Sequence, residues 1–251
     1  MKVTAIILRY KYSKGQVIHN AEHLQVDDYI IIDNSKHNVG TAAGFTEGMK
    51  QVKDGFIWLL DEDNIPEPDA LAELEIFWDW MSGVKSKTCL ASYRKDTYDK
   101  LVDINSIIGT PNACYGLNIF DYKQTCQNFK RERGRNRIVP VAMYGGMFFH
   151  SDLLKVIGYP NEKYFIYSDD YEWSYRITKA GGEILIVEDS IINEPPHRTE
   201  DEYYRVRNAI WFSKQFITNK FKFYINCLVY KIYLRLAGRQ ERFRAVKDGM
   251  K

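Results

Sequence analysis

Short apolar runs and amphipathic stretches alternate along the first 95 residues. Residues 3–8, 28–32, 56–60 and 90–93 are rich in β-branched, aliphatic or aromatic residues. Each is too short for a buried helix and each is stopped by polar or turn-forming residues, so they read as buried strands. Residues 14–24, 40–53 and 69–81 lie between them with helical spacing. In the last, Pro68 stands at the first turn, where a missing N–H costs nothing. Strand–helix alternation of this kind predicts an α/β fold with a parallel, doubly wound sheet. Further on, Gly145-Gly146 leads into a strand over 147–149 and Ser151 is placed to cap a helix over 152–157. A helix over 172–180 closes at Gly181-Gly182 before a strand over 183–187. Residues 164–168 form an aromatic, strand-like run, and 94–140 are irregular, with a basic cluster at 130–137 that reads as a solvated loop or a phosphate or acceptor site.

The polar residues that end these runs carry the candidate chemistry. In open α/β sheets, ligands bind at the carboxyl ends of the strands. Strand two ends in Asp33-Asn34-Ser35, suited to a base or ribose. Asn38-Val39-Gly40-Thr41-Ala42-Ala43-Gly44 is a small-residue turn that lets backbone approach a ligand near a helix N-terminus, or else serves helix packing. Strand three ends in Asp61-Glu62-Asp63. Such a triplet repels itself unless a cation answers it, and hard carboxylates suit a divalent ion shared with substrate phosphates; otherwise it is a solvated turn. Asp61 and Asp63 are the candidate ligands, with Glu62 facing away or orienting the pocket. Asp169, Asp170 and Glu172 open a helix, either as caps or with one of them taking a proton from an attacking hydroxyl. His197, after Pro195-Pro196, is structural or completes the metal site as a neutral imidazole.

Composition allows a large core: 45% of the 251 residues are apolar and 14% aromatic. Cys89, Cys114, Cys126 and Cys227 are widely spaced, which favours reduced thiols over a disulfide or zinc framework. The N-terminus runs straight into a strand and no apolar stretch is long enough to span a bilayer, so a cytoplasmic setting is expected. Charge changes the picture more. Residues 214–251 hold ten Lys/Arg against two acids, a formal +8, leaving −6 on residues 1–213 (25 cations against 31 acids). Aromatic and aliphatic residues recur in this tail at three- and four-residue spacing. It reads as a basic amphipathic helix, lying in a membrane interface or packed on the domain. Nucleic acid is not implied, because no recognition fold accompanies the charge.

Taken in order, these segments resemble the inverting family 2 glycosyltransferases of the GT-A fold. The resemblance rests on Asp33-Asn34, Asn38-Val39-Gly40, Leu59-Leu60-Asp61-Glu62-Asp63-Asn64 as a DxD motif, Gly145-Gly146-Met147, Asp169-Asp170-Tyr171-Glu172-Trp173 and His197. With Tyr203-Tyr204…Arg207-Asn208 it is most similar to galactofuranosyltransferases and their rhamnosyltransferase-like relatives. It implies a GT-A (Rossmann-like), mostly parallel central sheet flanked by helices over residues 1–213, with a nucleotide-binding half (1–93) and an acceptor half (94–213), and 214–251 as a basic helical extension. Asp33, Asn38, Gly40 and Asp61 would bind the nucleotide. Asp61, Asp63 and His197 would hold Mn²⁺ or Mg²⁺. Asp170 would be the catalytic base, and Asp169, Glu172 and Trp173 would bind the acceptor. The implied reaction moves a sugar, galactofuranose first and rhamnose or a pyranose next, from a nucleoside-diphosphate donor, UDP foremost, to a glycan or lipid-linked acceptor of a cell-surface polysaccharide. A silent sugar-nucleotide-binding scaffold is the alternative from another class, and a homo-oligomer is compatible with the reading. Arg9-Tyr10-Lys11 stands where a Tyr-Asn pair is usual in the family.

Overall fold

The computed structural model describes residues 1–81, 85–95, 137–195, 201–217 and 220–251. His197, Cys114, Cys126 and nearly all of the basic cluster at 130–137 lie outside the described residues.

The expected alternation is present as β1 (Val3–Arg9), α1 (Lys14–Glu22), β2 (Asp28–Asp33), α2 (Gly40–Gln51) and β3 (Phe56–Asp61). A short β4 (Ile65–Pro66), α3 (Ala70–Trp80) and β5 (Thr88–Lys95) follow. Then come β6 (Arg137–Val139), β7 (Met147–His150), α4 (Leu153–Ile157), α5 (Asp169–Lys179) and β8 (Glu183–Asn193). The strands form one sheet in the order β2-β1-β3-β7-β5-β8-β4, with β6 also on β8. β1, β2, β3, β5 and β8 point one way, while β4, β6 and β7 run against them.

Period-two alternation sends apolar side chains to both faces of the sheet, as a strand buried on two sides requires. On one face Ile6, Leu8, Ile57 and Leu59 meet Phe45 and Met49 of α2 and Trp173 and Ile177 of α5. On the other, Ala5, Ile7, Trp58 and Leu60 meet Val17 of α1 and Leu71, Leu74 and Trp78 of α3. Gly44 and Gly48 of α2 lie so close to β1 that a Cβ would stand 2.5 Å from Leu8 and 2.4 Å from Ile6. The small-residue spacing of this helix therefore serves helix–sheet packing rather than helix–helix packing.

Four expectations are corrected. Ser151 does not cap α4, whose N-cap is Asp152 without a side-chain cap bond. α5 begins at Asp169, three residues before the expected 172. Residues 165–168 are not strand-like: Phe165, Tyr167 and Ser168 have φ of 68°, 65° and 60°. Finally, the boundary placed at 213/214 falls inside a helix, α6 (Glu202–Phe216), and the tail is two helices, α7 (Lys220–Leu236) and α8 (Gln240–Met250). The inner face of this pair packs on α6 through Ile210, Phe223, Cys227, Leu234 and Val246. Arg242 donates to Glu202 at 2.7 Å, and the Tyr203 hydroxyl donates to Asp248 at 2.9 Å.

Candidate active site

The parallel register sets Asp33 opposite Arg9 and Asp61 opposite Leu8, so both acids stand at the same carboxyl edge. Asp33 is not a bare carboxylate. Arg9 pairs with it at 2.6 Å and the Ser35 amide donates to it at 2.9 Å. The Ser35 hydrogen bonds hold its carboxyl below the ordinary range, and Arg9 adds to the effect. Arg9 also donates to the Ser35 hydroxyl (2.8 Å) and the Tyr12 carbonyl (2.9 Å), so a base or ribose reaching Asp33 would share it with a guanidinium.

Strand β3 delivers the acidic triplet into a tight turn. The Asp61 amide donates to Asn64 Oδ1 (2.8 Å), and the Asn64 amide returns a bond to the Asp61 carbonyl (3.0 Å). Glu62 turns away from its neighbours, and its carboxylate accepts the backbone N–H groups of Tyr10 (2.8 Å), Lys11 (2.6 Å) and Tyr12 (2.8 Å). It fastens the loop after β1, which accounts for a third acid in the triplet. Charge-assisted bonds of this kind hold a loop against water. Glu62→Ala is expected to cost about 1 kcal/mol of stability and to speed amide exchange at residues 10–12. Unchanged exchange there would refute the loop-fastening role.

Gly145 is required at this turn. A Cβ on it would stand 2.3 Å from Asn64 Oδ1 and 3.1 Å from Asp61 Oδ2. Beneath lies a buried ion pair that sequence reasoning missed. Arg94, at the end of β5, donates through Nε to Glu194 Oε2 at 2.7 Å, and Asn64 Nδ2 donates to the same oxygen at 3.2 Å. The field of Arg94 reaches both Asp61 and Asp170. Its only sequence signal was a charged residue at each of two strand ends.

The second acidic group sits on a strained turn. Non-glycine residues rarely adopt positive φ, and three within four residues persist only where their surroundings enforce them. The enforcing residue is Asn208 of α6, fully buried, whose Nδ2 donates to the carbonyls of Tyr164 (2.7 Å), Ile166 (2.6 Å) and Tyr167 (2.9 Å). Arg207 adds a bond to the Tyr164 carbonyl at 3.1 Å. From the other side the Thr41 amide donates to the Phe165 carbonyl at 2.8 Å. Gly40, at φ 85°, makes room: a Cβ there would stand 2.1 Å from the Phe165 oxygen. The expectations for this segment change accordingly. The amide of Gly40 is taken by Asn38 Oδ1 (2.9 Å) and that of Thr41 by Phe165, so the start of α2 spends its leading donors on the protein itself.

The turn presents Asp169 and Asp170 at the N-terminus of α5. Asp169 is buried and accepts the Thr41 hydroxyl at 2.5 Å, while Asp170 is half-buried and accepts the Tyr171 amide at 2.8 Å. Burial pushes both carboxyls above their ordinary range, with the Asp170 charge adding to the rise at Asp169. At Asp170 the Tyr171 amide and Arg94 oppose the rise and Asp61 adds to it. Asp61 and Asp170, far apart in sequence, thus share one electrostatic environment with Arg94 between strand ends.

Two acceptor-binding expectations are not met. Glu172 is buried and consumed by Arg176, whose Nε donates at 2.9 Å and whose Nη2 closes the pair, and by Gln215 at 3.0 Å. Trp173 is fully buried between Tyr144 and Phe149, with its indole N–H on the Gly158 carbonyl at 2.9 Å. No face of it is open to a sugar. Both residues build the helix that carries Asp169 and Asp170.

Among the described residues, no group of three or more His, Cys, Asp and Glu forms a ready metal site. Asp61 and Asp63 supply two hard carboxylates from one turn. That donor chemistry fits a divalent ion completed by phosphate oxygens.

No curated protein sequence matches the chain. Solved structures share its fold. GalNAc-T7 with UDP, GalNAc and Mn²⁺ aligns with a TM-score of 0.58 at 12% identity, over 85% of this chain and 48% of that one. S. aureus TarS 1–349 in complex with UDP-GlcNAc gives 0.56 at 11%, over 99% and 80%. The mannosyltransferase PcManGT from Pyrobaculum calidifontis, in complex with GDP-Man and Mn²⁺, gives 0.58 at 13%, over 99% and 73%. The chain spans about half the length of GalNAc-T7. At such identities the likeness is one of fold, a central sheet flanked by helices as in GT-A glycosyltransferases. Residues 15–212 match the model of the "Glycosyltransferase like family 2", and the chain belongs to that family.

Proposed function

We propose that the chain is a metal-dependent, inverting glycosyltransferase. It would transfer a sugar from a nucleoside-diphosphate donor, UDP-galactofuranose first among the candidates, to a glycan or lipid-linked hydroxyl of a cell-surface polysaccharide. The observation that carries this reading is the Asp169–Asp170 pair, clamped on a left-handed turn within the electrostatic reach of Asp61 and Arg94.

In this reading Asp61 and Asp63 hold Mn²⁺ or Mg²⁺, which when bound offsets negative charge on the diphosphate. Asp33 and Arg9 contact the nucleoside. Asp170 accepts the proton of the acceptor hydroxyl as that oxygen bonds to the anomeric carbon. The bond from that carbon to the diphosphate oxygen breaks with its electron pair on the leaving group. A single displacement inverts the carbon and needs only one catalytic carboxylate, unlike the acid and base pair of hydrolases. Asp169, bonded to Thr41, positions its neighbour and adjoins the acceptor. An open groove of about 1180 Å³, whose walls include Tyr203, Tyr204, Arg207, Arg235 and Arg244, suits the acceptor's approach. Tyr204 packs on Phe165 at 5.1 Å, which joins that groove to the acid-bearing turn.

A panel of nucleotide sugars with and without Mn²⁺, scored by thermal shift and donor hydrolysis, tests the proposal. A ligand that binds the folded state raises apparent stability by about 2.7 kcal/mol at a hundredfold excess over its Kd. The expected result is stabilisation and slow hydrolysis of one UDP-sugar, both lost with chelator. A flat panel would refute the reading.

A further inference from the structure

Helix α7 has two faces that ask for different surroundings. Phe223, Cys227 and Leu234 are buried against Ile210 and Val246. On the opposite side Phe221, Ile225, Leu228, Ile232 and Leu236 are exposed, spaced by three or four residues along all 17 residues of the helix. They form one continuous stripe, since residues so spaced share a helix face. Tyr224 and Tyr233, also exposed, stand on its shoulders. A soluble surface rarely leaves an apolar stripe of this size in water without an occupant.

Charge identifies the occupant. No acid occurs between residues 220 and 236, and exposed Lys220 and Arg235 accompany the stripe. Exposed Arg239, Arg244 and Lys247 add positive charge beyond it, against exposed Glu241 and the Asp248 that pairs with Arg244. A second copy seated on this stripe would set cations against cations with no acid on the helix to answer them. An anionic lipid surface answers both the apolar stripe and its cationic border. No helix among the described residues is long and apolar enough to cross a membrane, so α7 would lie in the interface plane.

We propose that the outward face of α7 seats the protein on an anionic bilayer. Exposed Arg235 of the same helix also lines the open groove beside Tyr204. The inference rests on the tail helices and does not depend on the transferase reading.

The test is co-sedimentation of the full chain with vesicles of phosphatidylcholine alone or mixed with phosphatidylglycerol. Binding is expected to the mixed vesicles, weakened by salt. The double variant Leu228→Glu/Ile232→Glu should bind at least about tenfold more weakly while keeping the wild-type circular dichroism and melting temperature. Trp80→Glu, which alters an exposed residue of α3, should bind as wild type. Should the double variant fail to fold, Lys220→Glu/Arg235→Glu provides the second arm and should abolish the preference for phosphatidylglycerol. Wild type that stays in the supernatant overturns the proposal, as does binding unchanged by both variants. A wild-type dimer that the double variant dissociates, without vesicle binding, overturns it in favour of self-association.

Discussion

Asp170→Asn is expected to lower sugar transfer by a factor on the order of 10² to 10⁴ while leaving the thermal shift given by donor nucleotide and Mn²⁺ in place. The substitution keeps the shape of the side chain and its bond from the Tyr171 amide but removes the only function the reading asks of it, accepting a proton. The nucleoside contact assigned to Asp33 and the metal contacts assigned to Asp61 and Asp63 are untouched. The pH dependence follows from the same environment. Burial holds the Asp170 carboxyl above its ordinary range, and a base works only when deprotonated, so wild-type transfer should rise with pH through that raised value. The limb belongs to the Asp169–Asp170 pair rather than to either residue, since two carboxyls that feel each other's charge titrate together. Transfer by the variant at the wild-type rate would remove Asp170 from the mechanism. Loss of the nucleotide shift along with transfer would instead point to damage at the donor side.

Asn208→Leu should be the most damaging substitution for the fold among those near the site, at about 3 kcal/mol or more. One amide group serves three carbonyls of a turn that holds three unfavourable φ values. Leucine keeps the branched shape but carries bulkier methyl groups that cannot approach carbonyls at 2.6–2.9 Å, so the loss would come from unpaired carbonyls, released strain and crowding rather than from a cavity. The Tyr164 carbonyl keeps Arg207 and the Ile166 amide, but those of Ile166 and Tyr167 would lose the Asn208 donor at about 1 kcal/mol each, and the turn would relax toward ordinary φ. Denaturant unfolding measures the first effect. The second should appear as lost transfer under conditions where the variant remains folded. A variant with wild-type stability would show that the turn is held by its other contacts, the Thr41 amide and Arg207.

The strands within residues 1–95 were legible because buried parallel strands concentrate β-branched residues and end in polar ones, and that signal is local. Asp61 could be placed at a strand end on this basis alone. The turn at 165–168 could not. Its aromatic composition favours a strand, and what overrides that preference is Asn208, some forty residues later, together with the missing side chain of Gly40. Helix α5 illustrates another limit. Its three acids were visible, but which ones face the site depends on Arg176 and Gln215, which claim Glu172, and on Tyr144 and Phe149, which enclose Trp173. The Arg94–Glu194 pair joins two strand ends 100 residues apart, a relation that no periodicity records. In the tail, three- and four-residue spacing identified helix but could not reveal that apolar residues cover both sides, one for the domain and one turned outward.

Strand β7 has a mechanical consequence. It lies antiparallel between β3 and β5, paired to one at Trp58↔Phe148 and to the other at Leu90↔Phe148, so a single residue is laddered both to the strand that ends in Asp61 and to the strand that carries Arg94. A cleft that opened by swinging these two strands apart would have to tear this seam. The span between the β3 acids and the β5 arginine is therefore set by backbone hydrogen bonds, like a gauge cut into a rigid frame. Substrates of different size must be accommodated by side chains and by the segments outside the sheet.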